Sequence, residues 1–131
     1  MMEILKDASF MGLRATLGTI FIVHGIGKFG EDFAGFLSVL GLPVEMQIPI
    51  ALAELVLGIL LVLGIFTRIS TSILSVIMLG AIFLAKGATS LTGDRGIELD
   101  LILLASLLVI MVNGPKRISL LRFIKLPNCL Q

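Results

Sequence analysis

Four long apolar stretches alternate along the chain with short polar or glycine-bearing segments. They cover residues 12–28, 48–66, 69–85 and 97–112. A helix needs about 20 predominantly apolar residues to cross a bilayer, with a range of roughly 17–25. The second and third stretches meet this length outright, and the first and last do so when their terminal charges are sheltered. The pattern predicts four membrane-spanning helices.

A shorter amphipathic segment lies between the first and second predicted spans. Its apolar residues follow the i, i+3, i+4, i+7 spacing of one helical face. They are Phe33, Phe36, Leu37 and Leu40. Asp32 is placed to cap this helix, and Gly41 and Pro43 are placed to end it. Since the segment is too short to cross, we expect it to lie flat at the membrane surface or over the mouth of the bundle.

The two ends of the chain differ from the spans in composition. Residues 1–11 mix acids with one lysine and lack the pattern of a secretory signal. We expect them to form a short interfacial lead-in that stays on the mature protein. Residues 116–131 carry four basic side chains among apolar ones, which predicts a basic amphipathic tail on the membrane. No internal repeat is evident.

Composition supports a membrane protein. The chain has 131 residues, of which 57% are hydrophobic and 15% are charged. Soluble domains carry roughly 45–50% apolar and about 25% charged residues. The length allows one domain, residues 1–131, and we expect an all-α integral membrane four-helix bundle. The net charge of +1 gives no nucleic-acid footprint.

Basic residues predict the orientation. With four crossings, seven of the ten lysines and arginines lie on the side that holds both termini. Because positive charge concentrates on the cytoplasmic side of membrane proteins, both termini are expected to be cytoplasmic. The opposite side is called the outer side below.

Ionisable residues inside the apolar stretches are the candidates for chemistry. Such a group in hydrocarbon costs roughly 2.5–3.5 kcal/mol on insertion scales, so it needs a partner, water or a ligand. His24 in the first span and Glu54 in the second lie six residues from the outer ends of their helices, each ~9 Å deep. Lys28 lies one turn above His24, and Glu98 arrives at the same end from the last span. We expect an outer polar cluster centred on His24 and Glu54.

Two interpretations of this cluster remain open. In the functional one it binds an amphipathic molecule such as a quinone, with His24 or Lys28 donating to a carbonyl oxygen. Glu54 or His24 would then accept protons released by a quinol. In the structural one Glu54 only neutralises His24 or Lys28 and joins two helices.

Other positions favour structural roles. Arg14 and Arg68 lie at the inner boundary, where we expect them to reach lipid phosphates or, alternatively, a partner subunit. Small residues on the first two spans permit close packing. They are Gly18, Gly25, Ala51 and Gly58. One cysteine, Cys129, and one histidine exclude a CxxC pair and bis-histidine haem, so we expect no metal or haem bound by this chain alone.

Three segments of the chain resemble the DoxX family of DoxX-like and DoxD-like membrane proteins. They are Arg14 with LGTIFIVHGIGKF, then LPVEMQIPIALAELVLGILLVLGIFTR, and GIELDLILLASLLVIMVNGPKRISL. The resemblance covers nearly the whole chain and implies a single small four-helix membrane domain of a prokaryotic plasma membrane. It also implies a link to quinone-dependent redox complexes; DoxD is a membrane subunit associated with thiosulfate:quinone oxidoreductase.

Residue by residue, the resemblance marks a set of polar positions as characteristic of the family. They are Arg14, His24, Lys28, Glu54, Arg68 and Glu98. The chain departs from the family at Lys86, where members often carry a histidine near the outer end of the third span.

The first functional hypothesis is a small subunit of a quinone-linked oxidoreductase or respiratory complex. It binds quinone or quinol at the outer cluster, is enzymatic only as part of that complex, and has other membrane subunits as partners. The second hypothesis is a structural or assembly subunit without a redox role. A third, a carrier of a small solute or proton, is disfavoured because four short helices offer little for alternating access.

Overall fold

The computed structural model describes residues 1–87, 90–93 and 96–114, and all regular secondary structure in this part of the chain is helical. It contains five α-helices: α1 (Met2–Gly27), α2 (Glu31–Val39), α3 (Gln47–Leu63), α4 (Thr67–Gly80) and α5 (Glu98–Asn113). A 3₁₀ turn (Val44–Met46) precedes α3, and a π-helical turn (Ala81–Ala85) extends α4. The all-α prediction is confirmed. The basic tail predicted over residues 116–131 lies outside the described residues.

Three of these helical segments are long and apolar enough to cross a membrane. They are Met2–Gly27, Val44–Leu63 and Thr67–Ala85. Helix α5 has 16 residues, ~24 Å at 1.5 Å per residue.

Helix α1 begins ten residues earlier than the apolar pattern predicts. The expected separate lead-in over residues 1–11 is therefore wrong, because these residues are the first turns of one 26-residue helix. The segment contains no glycine or proline and is rich in good helix formers. The negative charge of Glu3 in the first turn interacts favourably with the helix dipole. Nζ of Lys6 lies 3.6 Å from Oε1 of Glu3 and forms an ion pair with this residue.

The turn between α3 and α4 lies earlier in the chain than predicted. Helix α3 ends at Leu63, and its C-cap Gly64 adopts a left-handed conformation with φ of 74°. The amide of Ile65 donates to the carbonyl of Leu60 at 2.9 Å, as in a Schellman cap. Phe66 is also left-handed, with φ of 50°, so α4 begins at Thr67. The predicted end of the second span at residue 66 and the predicted start of the third at residue 69 are therefore wrong. The left-handed Gly64 ends α3, and the left-handed Phe66 directly precedes α4.

Helix α2 confirms the predicted short helix, with one difference at its start. Its N-cap is Gly30, and the side chain of Asp32 makes no capping hydrogen bond. Leu37 is its buried residue, and Gly41 follows the helix with φ of 71°.

One apolar core joins α1, α3, α4 and α5. Its buried side chains are Leu17, Phe21, Leu61, Leu74, Met78, Leu103, Leu107 and Ile110. The most extensive packing is between α1 and α3, followed by α4 against α5 and α3 against α4.

Glycines bring α1 and α3 into backbone contact. A methyl group on Gly18 would lie 2.6 Å from the carbonyl oxygen of Gly58. One on Gly25 would lie 2.9 Å from the carbonyl oxygen of Ala51. The predicted close packing through these four small residues is confirmed.

Candidate functional site

An ion pair between α1 and α3 is the centre of the site. Lys28 is the C-cap residue of α1, and its ammonium contacts Oε1 of Glu54, two turns into α3. The carboxylate side chain is 0% exposed, whereas the lysine side chain retains 22% of its accessible surface. The acid is thus sealed in the protein, and its partner lies between it and the outer surface.

The second oxygen of Glu54 has no partner. Oε2 is buried and forms no hydrogen bond within the described part of the chain. Leaving a buried acceptor unsatisfied costs about 1–3 kcal/mol, and more for a charged group. This atom can accept a hydrogen bond or a proton.

His24 occupies a different position from the one predicted. It is half-buried one turn below Lys28, and its ring meets Phe21 edge-on at 6.5 Å between centroids. Among described residues it forms no hydrogen bond or ion pair. The cluster is therefore centred on Lys28 and Glu54 rather than on His24 and Glu54. A role for His24 in ligand contact or proton transfer stays a prediction.

Helix α2 covers the ion pair. The ring of Phe33 lies 5.2 Å from Nζ of Lys28, within the range of a cation–π contact. The side-chain amide of Gln47 donates to the carbonyl oxygens of Lys28, at 2.9 Å, and Gly30, at 2.8 Å. Sequence reasoning placed a helix near the bundle mouth but missed both residues. For Phe33, the amphipathic pattern of the helix could have predicted that its ring faces the bundle. For Gln47, the sequence contains no such indication.

A second ion pair joins the end of the π-helical turn to α5. Nζ of Lys86 lies 2.6 Å from Oδ2 of buried Asp100 and donates to the carbonyl oxygen of Gly96 at 2.9 Å. Sequence reasoning singled out Glu98 at this end, but Glu98 is exposed. Two residues along a helix turn a side chain by about 200°, so the acid that faces Lys86 is Asp100. Ligand contact by Glu98 stays a prediction.

Arginines lie against the C-terminal glycines of neighbouring helices at the opposite end. Arg14 is 4% exposed, and a methyl group on Gly64 would lie 2.8 Å from its Cζ. The expected lipid contact of Arg14 is wrong, because its guanidinium is buried within the chain. Arg68 is exposed and lies against Gly114, the C-cap of α5, where a methyl group would come within 3.2 Å of Nε. Carbonyl groups at a helix C-terminus favour a cation.

The two antiparallel helix pairs, α1–α3 and α4–α5, therefore share one plan. Each has an arginine–glycine contact at one end and a lysine–carboxylate pair at the other. One helix of each pair carries the arginine and the lysine, and the other carries the acid and the glycine. In both pairs the first spacing is four residues longer than the second. Along both helices, the spacing between the two contacts is four residues, about one helical turn, greater in the second pair than in the first.

Comparison with known proteins places the chain in a family. The DoxX family model matches residues 9–87, more than half of the chain. The chain belongs to the DoxX family. The match includes both partners of the Lys28–Glu54 pair but ends before Asp100. No solved structure matches this DoxX protein significantly.

A relative supports the assignment. This DoxX protein is 33% identical over 114 residues to a Bacillus subtilis protein named "Putative oxidoreductase CatD". The alignment covers 86% of this chain and 84% of the relative. Family membership and the long apolar helices make it a membrane protein.

Proposed function

We propose that this DoxX protein is a small integral membrane subunit of a quinone-linked oxidoreductase. It binds quinone or quinol beneath α2, at the Lys28–Glu54 pair. In this proposal α1, α3, α4 and α5 all cross the plasma membrane of a prokaryote, with both termini in the cytoplasm. The family, the oxidoreductase name of the Bacillus subtilis relative and the apolar helices support it.

One observation carries the proposal. Oε2 of Glu54 is buried and has no hydrogen-bond partner in the described ranges, while Oε1 is held by Lys28. A hydroxyl group of a bound quinol supplies the hydrogen bond that Oε2 lacks. The residues present therefore fit this ligand.

The chain's side chains divide the work in the proposed reaction. A bound quinol supplies two electrons and two protons, and the electrons pass to a redox partner subunit. Glu54 accepts one proton at Oε2, because a carboxylate in hydrogen-bond reach of a hydroxyl acts as a general base. Lys28 binds the other oxygen, Oε1, and so orients the carboxylate. His24, one turn deeper, accepts the second proton at its free imidazole nitrogen.

A structural role without redox chemistry is the second candidate. The Lys86–Asp100 pair favours it, because a lysine–carboxylate ion pair recurs between two other helices, and one structural role accounts for both. On this account both pairs only hold helices together, and the partners are other subunits of a larger membrane complex.

The two candidates differ in the behaviour of matched variants. Glu54→Gln and Asp100→Asn each remove the acid of one ion pair. If Glu54 serves the ligand, Glu54→Gln lowers quinol-dependent turnover at least tenfold in the complex recovered with mild detergent, with subunits retained. Asp100→Asn then leaves turnover per assembled complex within twofold. Unchanged turnover in Glu54→Gln, together with a loosened complex, would refute the ligand site and favour the structural role.

A further inference from the structure

Phe33 of α2 lies against the ammonium group that the proposed ligand would have to contact. Its ring centroid is 5.2 Å from Nζ of Lys28, and the same ammonium binds Glu54. We propose that Phe33 holds the place of the ligand's ring, so that the site is self-occupied until α2 moves. This inference rests on the proposed function and specifies how the site opens and what it accepts.

Few interactions attach α2 to the rest of the molecule. Leu37 is its only buried residue, at 2% exposure. Phe33 stacks on Phe36 within α2 itself, with 6.1 Å between ring centroids. Across the described ranges, no side chain of α2 forms a hydrogen bond or an ion pair. Displacing α2 therefore breaks apolar packing centred on Leu37 and the cation–π contact of Phe33, but no side-chain hydrogen bond to the described residues.

The connections of α2 permit this movement. Gly30 is its N-cap, and Gly41, beyond its C-terminus, has a positive φ with nothing near its Cα that a methyl group would meet. Gln47 ties the backbone of Lys28 and Gly30 to the first residue of α3. When α2 swings out, the lysine therefore stays in place beside Glu54. Gln47 is a positioning residue in this arrangement.

The exposed groups then select a ligand class. Lys28 attracts the electron-rich face of an aromatic ring, and Oε2 of Glu54 accepts a hydroxyl hydrogen. A hydroxylated aromatic ring, such as the ring of a quinol, satisfies both groups. A quinone ring is electron-poor and carries no hydroxyl group. The site therefore prefers the reduced form.

Binding of decylubiquinol and decylubiquinone to the full chain in lipid nanodiscs tests the inference. Phe33→Ala removes the competing ring, and Phe33→Leu does so while keeping apolar bulk. Both variants are expected to tighten quinol binding about threefold to tenfold, which corresponds to about 0.7–1.4 kcal/mol and lies within the range of a cation–π contact. The quinone is expected to bind at least tenfold more weakly than the quinol throughout.

Val39→Ala is the control, because it shortens a side chain of α2 that is 81% exposed. It is expected to stay within twofold of the wild type. If the wild type binds quinol and Phe33→Leu binds it equally well or more weakly, self-occupancy is refuted. The proposed function stands in that case. Equal affinity for quinol and quinone would overturn the ligand class. An absence of binding in the wild type and every variant would overturn both the inference and the quinol site.

Discussion

At the scale of single residues, helix direction decides which charges meet. Side chains on a helix lean toward its N-terminus. Helices α1 and α3 are antiparallel, so Lys28 leans inward and Glu54 leans outward, and the two converge. His24 lies at the same depth as Glu54 but leans away from it. The position of each residue along its helix could be predicted from the sequence. The direction in which the side chains lean was also needed to identify Lys28 as the partner of Glu54.

Arg14 shows the same limit of sequence reasoning. Its place near an inner boundary could be predicted, but its burial against Gly64 depends on a left-handed C-cap that leaves room for a guanidinium. The apolar pattern indicates at most that Gly64 ends a helix, and it gives no sign that this glycine contacts an arginine.

Replacing Gly64 by alanine tests the contact between this glycine and Arg14. Gly41 is a matched control, since it has φ of 71° against 74° and nothing within 4 Å of an added methyl group. Both variants strain the backbone by about 1–2 kcal/mol. Gly64→Ala must also displace a buried guanidinium, so we expect it to lower the thermal stability in detergent more than Gly41→Ala. Equal losses would show that the arginine contact contributes nothing.

At the scale of elements, small residues determine which helices touch. The close approach of α1 to α3 follows from glycine and alanine positions that are visible in the sequence. Helix ends were less predictable, because Phe66 adopts a conformation that non-glycine residues rarely adopt. The extra residue of the π-helical turn before Lys86 also leaves no mark on hydropathy.

The contact between Gly18 and Gly58 predicts opposite signs for two glycine substitutions on α1. Gly18→Ala inserts a methyl group against a backbone oxygen and is expected to destabilise the protein by about 1–3 kcal/mol. Gly12→Ala meets nothing within 4 Å and is expected to stabilise the helix by about 0.5–1 kcal/mol. Unfolding in mixed micelles of increasing SDS fraction measures both. A neutral Gly18→Ala would mean that the helices do not touch there.

At the scale of the whole molecule, charge is arranged by end. Both arginine–glycine contacts lie at one end and both lysine–carboxylate pairs lie at the other. This repetition could not be predicted from the sequence. What the two helix pairs share is the placement of an arginine–glycine contact relative to a lysine–carboxylate pair, and each contact joins two different helices. The spacing between the two contacts differs by about one helical turn between the helix pairs, so no residue-by-residue repeat appears.

The orientation of the molecule can be measured with engineered cysteines. Ser9 on α1 and Ser38 on α2 are both exposed and lie at opposite ends in the proposed topology. In a Cys129→Ser background, an impermeant maleimide applied to intact cells is expected to label Ser38→Cys and not Ser9→Cys. Permeabilised cells should label both. The reverse pattern would invert the topology, and labelling of both in intact cells would contradict a shared membrane-bound fold.

The placement of each lysine and its acid on successive helices has a consequence for biosynthesis. Lys28 and Glu54 are 26 residues apart, and Lys86 and Asp100 are 14 apart. In the proposed topology, a nascent chain leaving the ribosome therefore completes the acidic partner of its first translocated lysine before α4 is made. The lysine–carboxylate pair of each hairpin can form without waiting for the other half of the chain or for another subunit.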